Sequence, residues 1–497
     1  MSKLLFAKDT NEAKRLSNLY RQKKLRRIYR GIYTDDLESP IEGIVLRHWM
    51  QMLPHIVSNG ILSFRTAIDL KPSQFKGQAI VFVTSSYSKT IALPGLLIKV
   101  LKGNSKDHTE QLLPNIAKSN TPRMLLENLA AMRGPYKNSK IIGVPGVENF
   151  LAKELVLRNE KILNEYRDAA KEIANDLGYA AEYKKLNQII GALLSTHPDN
   201  ILSTQYAKAV AKKEPFDNAR IKLFEELVLY IKKCKFINRS YEYRKISFKN
   251  IAFFEAYFSN FIEGTEFTID EAENIAFQGM EINNRHADSH DILANFTLCN
   301  DYSEMSTTPR NPAELLDILQ KRHAYIMRER PDKRPGSFKE KPNKVGNTYF
   351  VPPKEVVGTL SQGFEYYHLL NDGIEKALFM HLLISEVHPF DDGNGRLSRI
   401  MMNAELVKAG LFKIIIPSAH RDNYLNGVRL ASRDYDFRIY CKVVDQAQAY
   451  VESVNWHHYG EAREKIEKDR ANLTSDEGLP EFNRALKNLI LSDFPAS

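Results

Sequence analysis

HPFDDGNGRLSR, residues His388 to Arg399, sets an imidazole, carboxylates, a Gly-Asn-Gly turn and two arginines within twelve residues. These are the groups that a nucleotide phosphate calls for: a base, a metal ligand, a ring of backbone N–H donors and cations for charged oxygens. Upstream, Ala377 to Val387 (ALFMHLLISEV) is apolar almost all round and predicts a buried helix. Pro389 ends it, because the residue before a proline is pushed out of the helical region. Downstream, Leu397, Ile400, Met401 and Ala404 recur at helical spacing, and Gly410 stands where that second helix should stop. The turn between the helices leaves the N–H groups of Gly393, Asn394 and Gly395 for an anion at a helix start. His388 can then accept a proton from a hydroxyl. Asp392 can hold Mg²⁺ together with phosphate oxygens. Arg396 and Arg399 can fork onto phosphates, and Phe390 anchors the loop in the core.

The stretch fits H-x-F-x-[DE]-G-N-G-R-x-x-R at eight fixed positions: His388, Phe390, Asp392, Gly393, Asn394, Gly395, Arg396 and Arg399. In this it resembles the Fic family, over about residues 250 to 450. The resemblance implies a mainly α-helical catalytic domain with a β-hairpin flap. It also implies transfer of AMP from ATP, with Mg²⁺, to a Tyr, Thr or Ser hydroxyl of a target protein. The alternatives are a structural anion turn or an enzyme that has lost activity. His381 is read as a hydrogen-bonded core residue.

Ser259 to Gly264 reads SNFIEG and resembles the inhibitory motif [ST]-x-x-x-E-[GN] that Fic proteins place on a helix before the catalytic core. Phe254, Phe258, Phe261 and Ile262 give that helix, about 252–264, an apolar stripe, and Gly264 is its expected stop. The resemblance implies that Glu263 pairs with Arg399 and denies it to the ATP γ-phosphate. The other reading of SNFIEG is a solvated glutamate before a glycine cap.

Arg334 to Pro353 (RPGSFKEKPNKVGNTYFVPP) resembles the flap that grips a target segment by main-chain pairing, with Lys344 to Asn347, including Val345 and Gly346, facing the nucleotide. Tyr424 falls where Fic sequences often place an adenine-contacting tyrosine. Leu425 and Ser432 stand where a further tyrosine and an asparagine are usual, so the phosphate chemistry is matched more fully than the adenine contacts.

The remaining half has its own character. A length of 497 residues suggests two or three domains, and 43% hydrophobic with 26% charged residues is ordinary for a globular protein. Three separated cysteines, Cys234, Cys299 and Cys441, make neither a disulfide framework nor a metal cluster. MSKLLFAKDT does not read as a signal peptide and no run is long enough to cross a membrane, so a cytoplasmic location without membrane association is expected. Residues 1–30 hold ten basic residues against Asp9 and Glu12, which is +8 of the chain's net +9. Such a segment is the footprint of phosphate-backbone binding.

Ala13 to Leu25 reads as a helix, and LRRIYRGIY (Leu25 to Tyr33) as a strand-like run broken by Gly31. This opening, followed by GILSFRTAIDL, AIVFVTS, LPGLLIKVLKG and TPRMLLENLA, resembles the winged-helix and regulator region of AbiEi-type antitoxins. That resemblance implies an α/β domain over 1–135 with DNA as a partner; a basic face on a protein-targeting adaptor is the other reading. A helical connector over 136–245, a catalytic domain over 246–452 and a helical tail over 453–497 complete the division. Two functions compete: an auto-inhibited protein adenylyltransferase, and a DNA-binding regulator or antitoxin-like protein that uses the Fic domain as a nucleotide sensor. His388 favours the first, because a sensor needs no general base. Self-association into a homo-oligomer is left open by the sequence.

Overall fold

The apolar stretch upstream of the loop is the helix Ile374–Val387 in the computed structural model of the chain, which describes residues 3–104, 106–132, 134–346 and 348–495. It ends as Pro389 requires, with His388 leaving the helix at φ +49. The chain after the loop re-enters a helix, Asn394–Lys408, and the two pack side by side at the centre of the second of two units, Glu214–Ser497. Gly410, at φ +67, closes the second helix as expected. The N–H of Gly410 donates to Val407 and that of Leu411 to Leu406, the paired bonds of a Schellman end.

Around this pair the second unit is almost wholly helical. Helix Lys245–Ile262 buries Ile251, Phe254, Phe258 and Ile262 in the same apolar core as Phe379, Leu383 and Leu397. It begins earlier than the SNFIEG stripe indicated, because Phe248 and Ile251 extend the buried face toward the N-terminus. Helix Arg421–Asp434 supplies a further wall. The hairpin Lys344–Val345 with Thr348–Tyr349 is antiparallel, with Lys344 opposite Tyr349 and Val345 opposite Thr348. Asn347, read above as nucleotide-facing, lies outside the described residues. The tail is helical, Tyr459–Lys468 and Ser475–Leu486, and its Ile466 and Phe482 belong to the core of this unit.

The first unit, Met1–Lys213, is α/β. Strand Leu4–Phe6, helix Thr10–Arg21 and the hairpin Arg26–Tyr29 with Ile32–Thr34 open it, with Gly31 turning the hairpin at φ +77. The helix starts before Ala13 because Asp9 caps it, its carboxylate accepting the Glu12 N–H at 2.8 Å. Among the described residues only this helix precedes the hairpin, so a helix-turn-helix pair is not present ahead of the wing-like strands. A mixed seven-stranded sheet follows, in which Gln78–Ser85 and Leu96–Lys102 run parallel.

The expected connector over 136–245 is not a separate body. Helices from Gly143–Leu157 to Gln205–Ala211 fall in the first unit and Asn218–Ile231 in the second. Leu223, Phe224 and Leu227 of the last of these helices join the apolar core of the second unit. Among the described residues no helix is long and apolar enough to cross a membrane.

Candidate active site

The loop is held from beneath by side chains that the motif does not contain. Phe390 is buried and stacks on His323, ring centroids 3.8 Å apart and 7° from parallel. His323 accepts the Gly336 N–H at Nδ1 (2.9 Å) and reaches the Asp392 carbonyl with Nε2 (3.0 Å), so it bridges the flap segment and the loop. Burial pushes its pKa down to about 4, which keeps it neutral and suited to one accepted and one donated bond. Lys339, 3% exposed, donates from Nζ to the carbonyl of His388 (2.7 Å), the carbonyl of Val387 (3.2 Å) and Oδ1 of Asn343 (2.7 Å). Its N–H donates to the Pro389 carbonyl at 2.9 Å. Asn343 in turn donates to the Phe390 carbonyl at 2.9 Å. A left-handed conformation costs a non-glycine residue on the order of 1–3 kcal/mol, and these bonds fix His388 in it.

The imidazole of His388 stacks on Phe350, with centroids 3.8 Å apart at 6°. Its Nδ1 lies 3.4 Å from the Ser385 carbonyl, which favours the proton there and leaves Nε2 as the basic atom. Burial, aided by the Lys339 ammonium, lowers its pKa to about 4, while the Ser385 carbonyl, Glu263 and Asp392 oppose that shift. The ring is thus neutral at ordinary pH, the form that accepts a proton.

His388, Gly395, Arg399, Glu263, Tyr424, Val345 and Gly346 all line one cleft of about 650 Å³, a volume within the range of small-molecule sites. Within it, Arg399 Nη2 donates to Glu263 Oε1 at 2.6 Å, its Nε to the Ser259 hydroxyl at 2.9 Å, and Nη2 also to the Ser259 carbonyl at 3.0 Å. Burial disfavours the charge on Arg399, and the Glu263 carboxylate more than offsets this, so its pKa stands above the ordinary value. Glu263 is the C-cap of its helix. Gly264, at φ +90, makes the expected stop: its N–H and that of Thr265 donate to Phe261 and Asn260. Arg421 adds a bond from Nε to the Ile262 carbonyl at 3.2 Å. The Glu263 carboxylate reaches over the helix start so closely that a β-carbon on Gly395 would collide with it. The amides of Asn394, Gly395 and Arg396 open that helix and have no acceptor among the described residues.

Of the loop residues picked out from sequence, Arg396 turns elsewhere than expected. The side chain of Asn394 does not face a ligand. It accepts the Phe390 N–H and donates to the Phe390 carbonyl, both at 2.9 Å, so only its backbone N–H is left for an anion. Arg396 is 4% exposed and its Nη1 is 2.6 Å from Asp291, a buried carboxylate that also takes Arg330 at 2.9 Å. Its guanidinium is committed to Asp291 rather than turned to the cleft. Gly393 is buried at φ +73 beneath Met327, and serves the turn. Tyr424 lines the cleft, but its hydroxyl is 2.6 Å from His381 Nε2, and His381 Nδ1 is 2.9 Å from the Tyr440 hydroxyl. His381 is accordingly the buried, hydrogen-bonded residue expected.

Asp392 is half-buried beside the loop, with Oδ1 accepting the Gly393 N–H at 2.7 Å and Oδ2 without a partner among the described residues. No group of three or more His, Cys, Asp or Glu suited to a metal occurs among the described residues. A single carboxylate suits a hard cation that takes its remaining oxygens from phosphate and water, so the donor set fits Mg²⁺ arriving with a nucleotide. Glu386 was also missed from sequence. It is 2% exposed in the cleft wall, 3.1 Å from Arg220, and burial raises its pKa.

Residues 314–406 match the Fic/DOC family model. The chain is 30% identical over 191 residues to the protein adenylyltransferase Fic of Drosophila virilis, a match covering 36% of this chain and 38% of that protein. The corresponding Drosophila grimshawi protein matches at the same identity and coverage. The chain thus spans under half the length of these curated relatives. Among solved structures, a Fic domain-containing signalling protein from Bacteroides thetaiotaomicron aligns at 20% identity and TM-score 0.36, over 47% of this chain and 94% of that one. Fic-1 from C. elegans aligns at 15% identity and TM-score 0.36, over 64% of this chain and 92% of that one.

Proposed function

From the Fic domain that this chain carries, we propose that it is a protein adenylyltransferase, moving AMP from ATP to a Tyr, Thr or Ser hydroxyl on a target protein and restrained by its own Glu263. The observation that supports this best is the joint placement of a neutral His388 and the Gly395 amides in one cleft, with Arg399 held by Glu263 and Ser259. The target hydroxyl loses its proton to His388 Nε2 as its oxygen attacks the α-phosphorus. The bond from that phosphorus to the oxygen bridging to the β-phosphate breaks, and pyrophosphate leaves. The free amides at the start of helix Asn394–Lys408 receive phosphate oxygens. Arg399 would receive the γ-phosphate once Glu263 withdraws. A Mg²⁺ ion held by Asp392 would neutralise charge on the leaving pyrophosphate.

Intact-mass measurement of the full chain incubated with ATP and Mg²⁺ tests the proposal. Covalent AMP on the chain or on a co-incubated lysate protein, lost in His388→Ala, is expected. Nucleotide binding without any transfer, also in Glu263→Gly, would leave the nucleotide-sensor reading instead.

A second reading concerns the first unit. Arg27 and Arg30 are exposed on the hairpin that follows helix Thr10–Arg21, and Lys14, Lys23 and Lys24 lie on or beside that helix. This concentration supports duplex DNA as a partner of the N-terminal segment, bound through its phosphates.

A further inference from the structure

Glu386 sits where a carboxylate is costly. It lies in the last turn of helix Ile374–Val387, two residues before His388, with 2% of its surface exposed. A helix C-terminus carries partial negative charge, and burial strips an anion of water, so both effects disfavour an acid there. One guanidinium faces it, with Arg220 Nη1 standing 3.1 Å from Oε2. The pair is imperfect, because Oε2 and Arg220 Nε each lack a hydrogen bond among the described residues. Burial raises the pKa of Glu386, while the Arg220 charge and then the Ser432 hydroxyl oppose that rise and favour the anion. Glu386 lines the cleft, so an acceptor with unused capacity stands in its wall.

Its neighbours fix which part of the cleft this is. Ser432 belongs to helix Arg421–Asp434, whose Tyr424, Leu425 and Val428 give the cleft an apolar wall. Arg220 also donates from Nη2 to the Tyr349 carbonyl at 3.1 Å, on the flap strand that pairs with Lys344–Val345. Glu386 is thereby tied to both the flap and that helix. With phosphates at the Gly395 amides and Arg399, the apolar wall is what remains for the base. A flat base against apolar side chains leaves its edge for the few polar groups that set specificity. Adenine carries a donor there, the N6 amine, where 6-oxo purines carry the O6 acceptor. A carboxylate accepts and cannot donate.

We propose that Glu386 is a specificity-determining residue that accepts the exocyclic amine of adenine and turns away 6-oxo purines. This rests on the transferase reading above. A nucleotide without the amine would leave a buried acceptor unpaired, and one with O6 would set lone pairs against an anion. Unpaired buried polar groups are the strong source of discrimination between similar substrates.

The test uses the full chain with Glu263→Gly, Mg²⁺ and three triphosphates. These are ATP, purine riboside triphosphate, which has hydrogen in place of the amine, and inosine triphosphate, which has the 6-oxo group. Isothermal titration reads affinity. ATP should bind on the order of ten- to a hundredfold more tightly than either of the others. Glu386→Gln keeps the shape, and its amide can turn a donor toward O6, so the preference for ATP over inosine triphosphate should largely vanish. A residue that only holds Arg220 and the flap would weaken all three nucleotides alike and leave their ratios unchanged. Equal affinity for the three with Glu386 in place would overturn the inference. So would tighter binding of inosine triphosphate than of ATP, or an unchanged ratio in a Glu386→Gln chain that melts normally. Should Glu386→Gln unfold, the comparison with Glu386 in place still decides. Absence of binding by all three would sink the transferase reading as well, which equal binding would not.

Discussion

The carboxylate of Glu263 stands where a β-carbon on residue 395 would have to be. Glu263 thus does two things at once: it pairs with Arg399 and it covers the start of helix Asn394–Lys408, where phosphate oxygens would be received. Obstruction and charge competition come from one side chain.

Glu263→Gly should therefore raise AMP transfer sharply. A charge-assisted bond is worth about 1.5–3 kcal/mol, on the order of ten- to a hundredfold in rate at limiting ATP. Ser259→Ala removes only the hydroxyl on Arg399 Nε and leaves the Ser259 carbonyl bond, so its gain should be several-fold smaller. Initial rates of self-modification, with ATP varied, check both. A larger effect from Ser259 than from Glu263 would contradict this ranking.

His388→Ala should lower transfer by about 10²–10⁴-fold, the usual contribution of a general base, with nucleotide affinity little changed. Isothermal titration with ATP alongside the rate assay separates the two effects.

The pH profile carries the signature of Lys339. With His388 depressed to about 4, the parent enzyme keeps its base neutral down to mildly acidic pH and loses rate only as pH falls toward that value. Lys339→Met removes a neighbouring positive charge, so the His388 pKa should rise and the acid limb should move to higher pH. Burial lowers Lys339 itself to about 7, so its ammonium, and with it the clamp on the His388 and Val387 carbonyls, should fade above that pH. Lys339→Arg, which stays charged, should lack that alkaline decline if it folds around the same carbonyls. Identical profiles in parent and Lys339→Met would make Lys339 a packing residue only.

Asp291→Asn should destabilise the second unit by roughly 3–5 kcal/mol, because it leaves Arg396 and Arg330 short of their shared counter-ion. Thermal unfolding reads this directly. An unchanged melting temperature would mean that Arg396 is free to turn outward.

If the N-terminal segment binds DNA, Arg27→Glu with Arg30→Glu should weaken binding to all sequences alike, since phosphate contacts position without reading bases. Arg26 is a poorer choice, being tied to the Ser39 carbonyl at 2.6 Å. Gel retardation by the full chain across salt concentrations is the measurement, and no retardation at low salt removes the DNA reading.

What the sequence displays and what it hides divide along physical lines. The two helices flanking the loop were legible because their apolar periodicity and their breakers, Pro389 and Gly410, act locally. The Glu263–Arg399 pair was found through a resemblance between motifs, since nothing local links residues so far apart in the chain. The grip on the loop was not legible: His323, Lys339, Asn343 and Asp291 lie on other segments and follow no period. The turn of Arg396 toward Asp291 was not legible either, because a motif says which residues are present and not which way they point. Lone buried polar residues give no pattern until folding sets their partners beside them.

Helix Lys245–Ile262 is buried on nearly every side, finished by its Schellman bonds and tied to Arg421, so Glu263 is mounted on a part that does not travel alone. Its side chain, by contrast, is about one-third exposed at 32%. On the reading proposed here, uncovering Arg399 needs a torsion about a few side-chain bonds. Such motions in exposed side chains are complete in picoseconds to nanoseconds, where rearrangements of whole helices take microseconds or longer. ATP and the glutamate would then exchange faster than any turnover. Progress curves should begin at their final slope, and activity should grade smoothly with nucleotide supply instead of waiting on a slow opening step.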